Sequence, residues 1–154
     1  MKLSTICYLE SDKMTLLLYR NKKHGDMHEG KWVGIGGKFE DGETPEECIN
    51  REFYEETGLR LINPAMRGII VFPNFFKEED WIMFVFKCTD YEGILTNTQE
   101  GTLEWIETDK IGSLSMWDGD RLFLKWMNEP DFFSAKITYS EKKLKSYSVE
   151  HYSF

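Results

Sequence analysis

Positive charge is scarce in this sequence relative to negative. It holds 19 lysines and arginines against 27 aspartates and glutamates, a net charge of −8. DNA and RNA polymers are bound mainly through Lys and Arg, so a uniformly acidic surface disfavours them as partners. A single nucleotide is not disfavoured, because metal ions bridge acidic protein to acidic phosphate. Cysteine is sparse as well. Cys7, Cys48 and Cys88 are odd in number, widely spaced and free of any Cys-x-x-Cys. These thiols read as small core residues in a reduced, cytoplasmic setting rather than as a disulfide framework. No apolar run is long enough to cross a membrane, and the run in Met1 to Glu10 is too short for a signal peptide. Repeats, low-complexity tracts and linkers are lacking too. One domain spanning residues 1–154 is expected, with an ordinary 41% hydrophobic content.

What the chain does have is local acid. Eight of the acidic residues fall between Glu40 and Glu56. Thr44 and Glu47 form a capping-box pair, Pro45 stands where a first helical residue belongs, and Gly58 is a left-handed stop. A helix from Pro45 to Thr57 is predicted. On it Glu52, Glu55 and Glu56 stand at i, i+3 and i+4 and share one face. Such a cluster repels itself and weakens an isolated helix unless a cation neutralises it. Hard oxygen ligands at this density suit Mg2+, with Mn2+ as a substitute. Arg51 lies four residues from both Glu47 and Glu55, and its fork of donors is suited to orienting carboxylates. A solvated acidic helix is the competing reading. Two features weigh against it: the preceding Gly34-Ile35-Gly36-Gly37, where backbone can approach a ligand closely, and Ile49 and Phe53, which turn this side toward a core.

Elsewhere, residues 3–9 and 14–20 read as strands joined at Ser11-Asp12-Lys13, and 21–31 as a loop. Arg67 to Phe72 and Trp81 to Lys87 read as strands flanking a long connection, Pro73 to Asp80. Leu103 to Ile106 is a short strand, Arg121 to Met127 has helical spacing, and Phe132 to Tyr139 with Tyr147 to Tyr152 suggests a terminal hairpin. Strands at both ends with two interspersed helices imply an α/β fold, a mixed sheet between helices.

Gly37, Glu43, Arg51-Glu52-Phe53, Glu55-Glu56 and Gly58-Leu59 fill all nine fixed positions of the Nudix box over 23 residues. The chain therefore resembles the Nudix hydrolases. The resemblance implies an α/β/α sandwich with a mixed β-sheet and metal-dependent cleavage of a nucleoside diphosphate linked to another moiety. Gly30-Lys31-Trp32-Val33-Gly34-Ile35-Gly36-Gly37-Lys38 and Ser115-Met116-Trp117-Asp118-Gly119-Asp120 are similar to two segments of the MutT-type branch, which hydrolyses oxidised purine triphosphates such as 8-oxo-dGTP. That branch sanitises the nucleotide pool and so serves DNA repair. By this resemblance Trp117 stacks on the base, Asp118 and Asp120 bond its edge, Phe72 lies against it, and Lys23 sits near the substrate. Glu52, Glu55, Glu56 and Glu100, with a carbonyl from Gly36 or Gly37, hold metal. Two departures stand out: Val33 replaces an asparagine that bonds the base, and Gly119 replaces the first of two paired acids.

The expected reaction is hydrolysis of a purine nucleoside triphosphate to monophosphate and pyrophosphate. Glu55 and Glu100 are both candidates to accept the proton of the attacking water, with Arg51 supporting them. Each substrate residue also has a bland reading. Trp117 and Phe72 can be core, Lys23 solvated, and Asp120 a cap for a helix beginning near Arg121. His24, His28 and His151 lack metal spacing and are assigned no chemistry. Within hydrolases, an ADP-ribose, NADH or dinucleoside polyphosphate pyrophosphatase is the alternative. Outside them it is a non-catalytic nucleotide sensor, and RNA-end processing is disfavoured by the charge.

Overall fold

The computed structural model describes residues 1–154. The chain runs β1 (Lys2–Ser11), β2 (Met14–Tyr19), β3 (Trp32–Val33), β4 (Ile35–Lys38), α1 (Pro45–Thr57), β5 (Leu59–Leu61), β6 (Ala65–Phe76), β7 (Glu79–Cys88), β8 (Tyr91–Gly93) and β9 (Thr102–Glu107). A 3-10 turn, Thr108–Ser113, then leads to α2 (Asp118–Met127), β10 (Phe132–Ser140) and β11 (Lys143–Tyr152). Nine strands form a mixed sheet in the order β11-β10-β6-β7-β1-β2-β3, with β4 added on β1 and β9 on β2. The β1–β7 and β6–β10 pairs are parallel, and their neighbours are antiparallel. A small β5–β8 ribbon stands apart from the sheet.

The central strands are apolar on both faces because a helix covers each face. Along β1, Cys7 and Leu9 join Ile49 and Phe53 of α1 in one core. Ile6 and Tyr8 point the other way, into a core with Phe123, Trp126 and Met127 of α2. The period-2 alternation of a strand thus divides one segment between two cores. Phe53 is fully buried and anchors α1, worth roughly 2–3 kcal/mol of apolar burial.

Helix α1 begins and ends where its signals place it. The Glu47 N–H donates to Thr44 Oγ1 at 3.1 Å, and the Thr44 N–H donates to Glu47 Oε1 at 2.9 Å. Gly58 closes the helix at φ 77°, a conformation that costs a side chain about 1 kcal/mol.

Three expectations are corrected. Pro73 to Asp80 is not a long connection: β6 continues to Phe76, β7 starts at Glu79, and only Lys77 and Glu78 turn. A register shift between Phe72 and Phe76 absorbs Pro73, whose missing N–H is tolerated at a bulge. Helix α2 starts at Asp118, one turn before Arg121, so Asp120 lies inside its first turn and is not its N-cap; Trp117 holds that place with no side-chain cap bond. The second strand of the terminal hairpin begins at Lys143, four residues before Tyr147.

Candidate active site

Strand β4 lies antiparallel on β1, with Gly36 opposite Ile6 and Gly37 opposite Thr5. Neither glycine has room for a side chain. A Cβ at 36 would strike the Thr5 carbonyl, and one at 37 would strike the Glu52 carboxylate. Their backbone therefore sits directly under the acidic face of α1.

Arg51 organises that face. Its Nε and Nη2 grip both oxygens of Glu43 at 2.6 and 2.9 Å, a bidentate pair. Its Nη1 donates to Glu52 at 2.8 Å and Glu55 at 3.2 Å, and Nη2 also reaches the Lys38 carbonyl at 3.0 Å. The Arg51 guanidinium holds the Glu43 carboxyl down at about 2. Protein groups engage all of its donors, so its role is to position carboxylates. Glu56 accepts from the Thr98 hydroxyl at 2.7 Å. Glu100 lies 3.6 Å from Arg20 Nη1 and 3.7 Å from Lys23 Nζ. Burial raises the Glu52 and Glu56 carboxyls, and the nearby charge of Glu100 raises both further. No three His, Cys, Asp or Glu groups close into a ready metal cage. The donor set nonetheless suits a hard divalent cation: carboxylate oxygens that repel one another beside backbone that approaches closely.

Some of these groups line one end of a cleft of about 660 Å³. Gly36, Gly37, Glu52, Glu56 and Glu100 line that end together with Arg20. At the other end stand Phe72, Trp117 and Asp120, joined by Phe75, Trp81 and Tyr139. Phe72 and Trp117 are also nearly buried, so the core reading and the cleft reading hold together. The Tyr139 ring meets Trp117 edge-on at 5.1 Å and stacks near Phe72 at 6.4 Å. Asp120 reaches the cleft from behind many protein atoms, and burial pushes its carboxyl up to about 7 against the pull of Lys31 and Arg121. It is therefore poised to be neutral or ionised near neutral pH.

Residues 2–127 match the NUDIX domain. The chain belongs to the Nudix family. It is 34% identical over 95% of its length to the uncharacterised Nudix hydrolase YvcI of Bacillus subtilis, covering 92% of that protein. It is 36% identical to an oxidised purine nucleoside triphosphate hydrolase of Danio rerio, over 69% of this chain and 67% of that one. A solved MutT protein from Bacillus halodurans superposes with a TM-score of 0.87 at 31% identity, covering 97% of this chain and 98% of that one. The α/β/α Nudix sandwich expected from the box is thus the fold of this protein.

Four expected site residues lie outside the lining of this Nudix cleft. Arg51 is occupied by Glu43, Glu52 and Glu55. Glu55 has a side chain 55% exposed and held by Arg51. Lys23 is exposed and touches the site through Glu100. Asp118 is exposed at the start of α2, away from the cleft. The Gly119 departure has a steric reason: its N–H donates to the Tyr139 hydroxyl at 2.7 Å, and a Cβ there would meet that oxygen at 2.5 Å. Arg20, His28, Phe75, Trp81 and Tyr139 were missed. For Tyr139 a signal existed, since Phe133, Ala135, Ile137 and Tyr139 alternate along β10 and the first three are buried. For His28 the sequence offers none.

Proposed function

We propose that this Nudix hydrolase cleaves purine nucleoside triphosphates, oxidised ones such as 8-oxo-dGTP among them, to the monophosphate and pyrophosphate. One observation carries the reading: a single cleft joins the carboxylates of α1 to an aromatic pocket ending in Asp120. Its volume of about 660 Å³ falls in the range of small-molecule sites, and in this reading the base lies among the rings and the phosphates over the acids. Glu52, Glu55 and Glu56, with a carbonyl of Gly36 or Gly37 and with Glu100 beside them, would hold Mg2+ or Mn2+. The bound ion offsets phosphate charge and lowers the pKa of water. Arg51 fixes the carboxylates in place. Glu100, which lines the cleft, and Glu55, which Arg51 holds, are the two candidates for the group taking the water proton. Arg20 and Lys23 supply positive charge at the phosphate end. Phe72 and Trp117 sandwich the base, and Asp120 bonds its edge. The whole of residues 1–154 acts as one unit in this reading, because the β10 hairpin completes the pocket.

Incubation of the protein with Mg2+ and a panel of nucleotides, with products identified by mass, tests this directly. Monophosphate plus pyrophosphate from purine triphosphates is expected. Release of orthophosphate, or turnover of ADP-ribose in preference to every triphosphate, rejects it.

A further inference from the structure

His28 sits in the loop between β2 and β3, yet it lines the cleft and is not free to swing. Its backbone N–H donates to Asp26 Oδ1 at 3.3 Å, while Asp26 Oδ2 is gripped by Arg20 Nε at 2.8 Å. Its ring nitrogen Nδ1 accepts from Trp117 Nε1–H at 2.8 Å. An indole N–H can only donate, so Nδ1 carries no proton and the neutral ring must hold its proton on Nε2. No protein group accepts from Nε2. Trp81 Nε1 is the buried side-chain nitrogen or oxygen without a partner, so His28 Nε2 instead keeps contact with open space. The ring forms part of the lining of the cleft. Val33, which also lines the cleft, offers only hydrocarbon.

We infer that His28 is a specificity-determining residue of this site. Its Nε2–H donates to a hydrogen-bond acceptor on the edge of the bound purine, and its Nδ1 fixes the plane of the Trp117 ring. The inference rests on the nucleotide reading above and deepens it, since it supplies the polar contact that Val33 cannot. Burial and the neighbouring Arg20 hold the imidazole down at about 4, which keeps it neutral at working pH. Lys31, 5.2 Å from the Trp117 ring centroid, and the edge contacts of Phe75 and Tyr139 complete the seat of the indole.

Two variants separate the roles. H28F keeps a ring but loses both nitrogens, whereas H28Q returns an acceptor and a donor. In the wild type, 15N spectra should show Nε2 protonated and Nδ1 bare. The Trp117 indole N–H signal, identified by its loss in W117F, should move in H28F. With GTP, H28F should raise KM about tenfold while kcat stays within about twofold, the signature of lost binding rather than lost chemistry. H28Q should recover KM to within about threefold of wild type. The H28F penalty should vanish for one of two GTP analogues: the 7-deaza triphosphate, which lacks the N7 acceptor, or the 2-aminopurine triphosphate, which lacks the O6 acceptor and carries a bare N1 in place of N1–H. An unchanged KM in H28F, or one penalty shared by all three nucleotides and by the 3-deaza triphosphate, overturns the ligand contact. A proton on Nδ1 overturns the Trp117 contact whatever the kinetics show. A wild type that turns over no purine triphosphate sinks the parent reading and the ligand contact with it, while the spectra still judge the Trp117 contact independently.

Discussion

At the carboxylate end of the cleft, one contiguous stretch, Gly37 to Gly58, carries the floor, three glutamates, the arginine that orients them and both helix caps. At the aromatic end, Phe72, Trp117 and Tyr139 arrive from β6, the residue before α2, and β10. The first end is built by local rules of helix spacing and capping. The second exists only after the sheet has paired β6 with β10 in parallel, Phe133 against Gly68 through Lys136 against Val71. Chemistry that needs fixed spacing along a helix can be written in one segment. A pocket that needs walls from several directions cannot.

The contrast can be broken by mutation. The largest effect belongs to the carboxylate end: Glu56→Gln should lower kcat by about a hundredfold or more with little change in melting temperature, if it helps hold the metal. Full turnover by that variant would remove Glu56 from the metal-binding role. Arg51→Lys comes next. A single ammonium cannot replace the bidentate grip on Glu43, so activity should fall about 10- to 100-fold, read as kcat at saturating Mg2+.

At the aromatic end the expected effect is on stability and its pH dependence. The folded Asp120 carboxyl titrates at about 7, above its ordinary value of 3.8. A raised carboxylate makes the folded state bind more protons than the unfolded one between those values. Stability is therefore full below about pH 4 and falls as pH rises toward 7. Asp120→Asn should be more stable than wild type at pH 8, by up to about 4 kcal/mol and with a higher melting temperature, and the advantage should shrink to nothing near pH 4. Equal melting temperatures at both pH values would show that Asp120 is not desolvated.

The smallest effect lies outside the cleft lining, in the turn that follows β10. The β10–β11 turn puts Glu141 and Lys142 at φ 51° and 66°, where side chains are strained. Lys142→Gly should stabilise the fold by about 0.5–1 kcal/mol, measured by denaturant midpoint, and leave kcat within about twofold.

The unequal legibility of the sequence follows the same division. The bounds of α1, its capping box and the left-handed Gly58 were all readable, because each depends on residues within four positions. Glu100 was readable only through resemblance, and its position near Glu52 and Glu56 depends on the fold. Pro73 to Asp80 misled because its polar composition looks like a loop, while the bulge that admits Pro73 into β6 leaves no composition signal. Tyr139 was half-visible as an alternation. His28 was invisible, since a loop histidine acquires meaning only from an indole 89 positions away.

Tyr139 lies beyond residue 127, where the family match stops, whereas the acidic helix lies well inside it. The wall that Tyr139 adds is thus housed apart from the acidic helix, and substitutions in the last hairpin can reshape the aromatic end while the carboxylates stay in place.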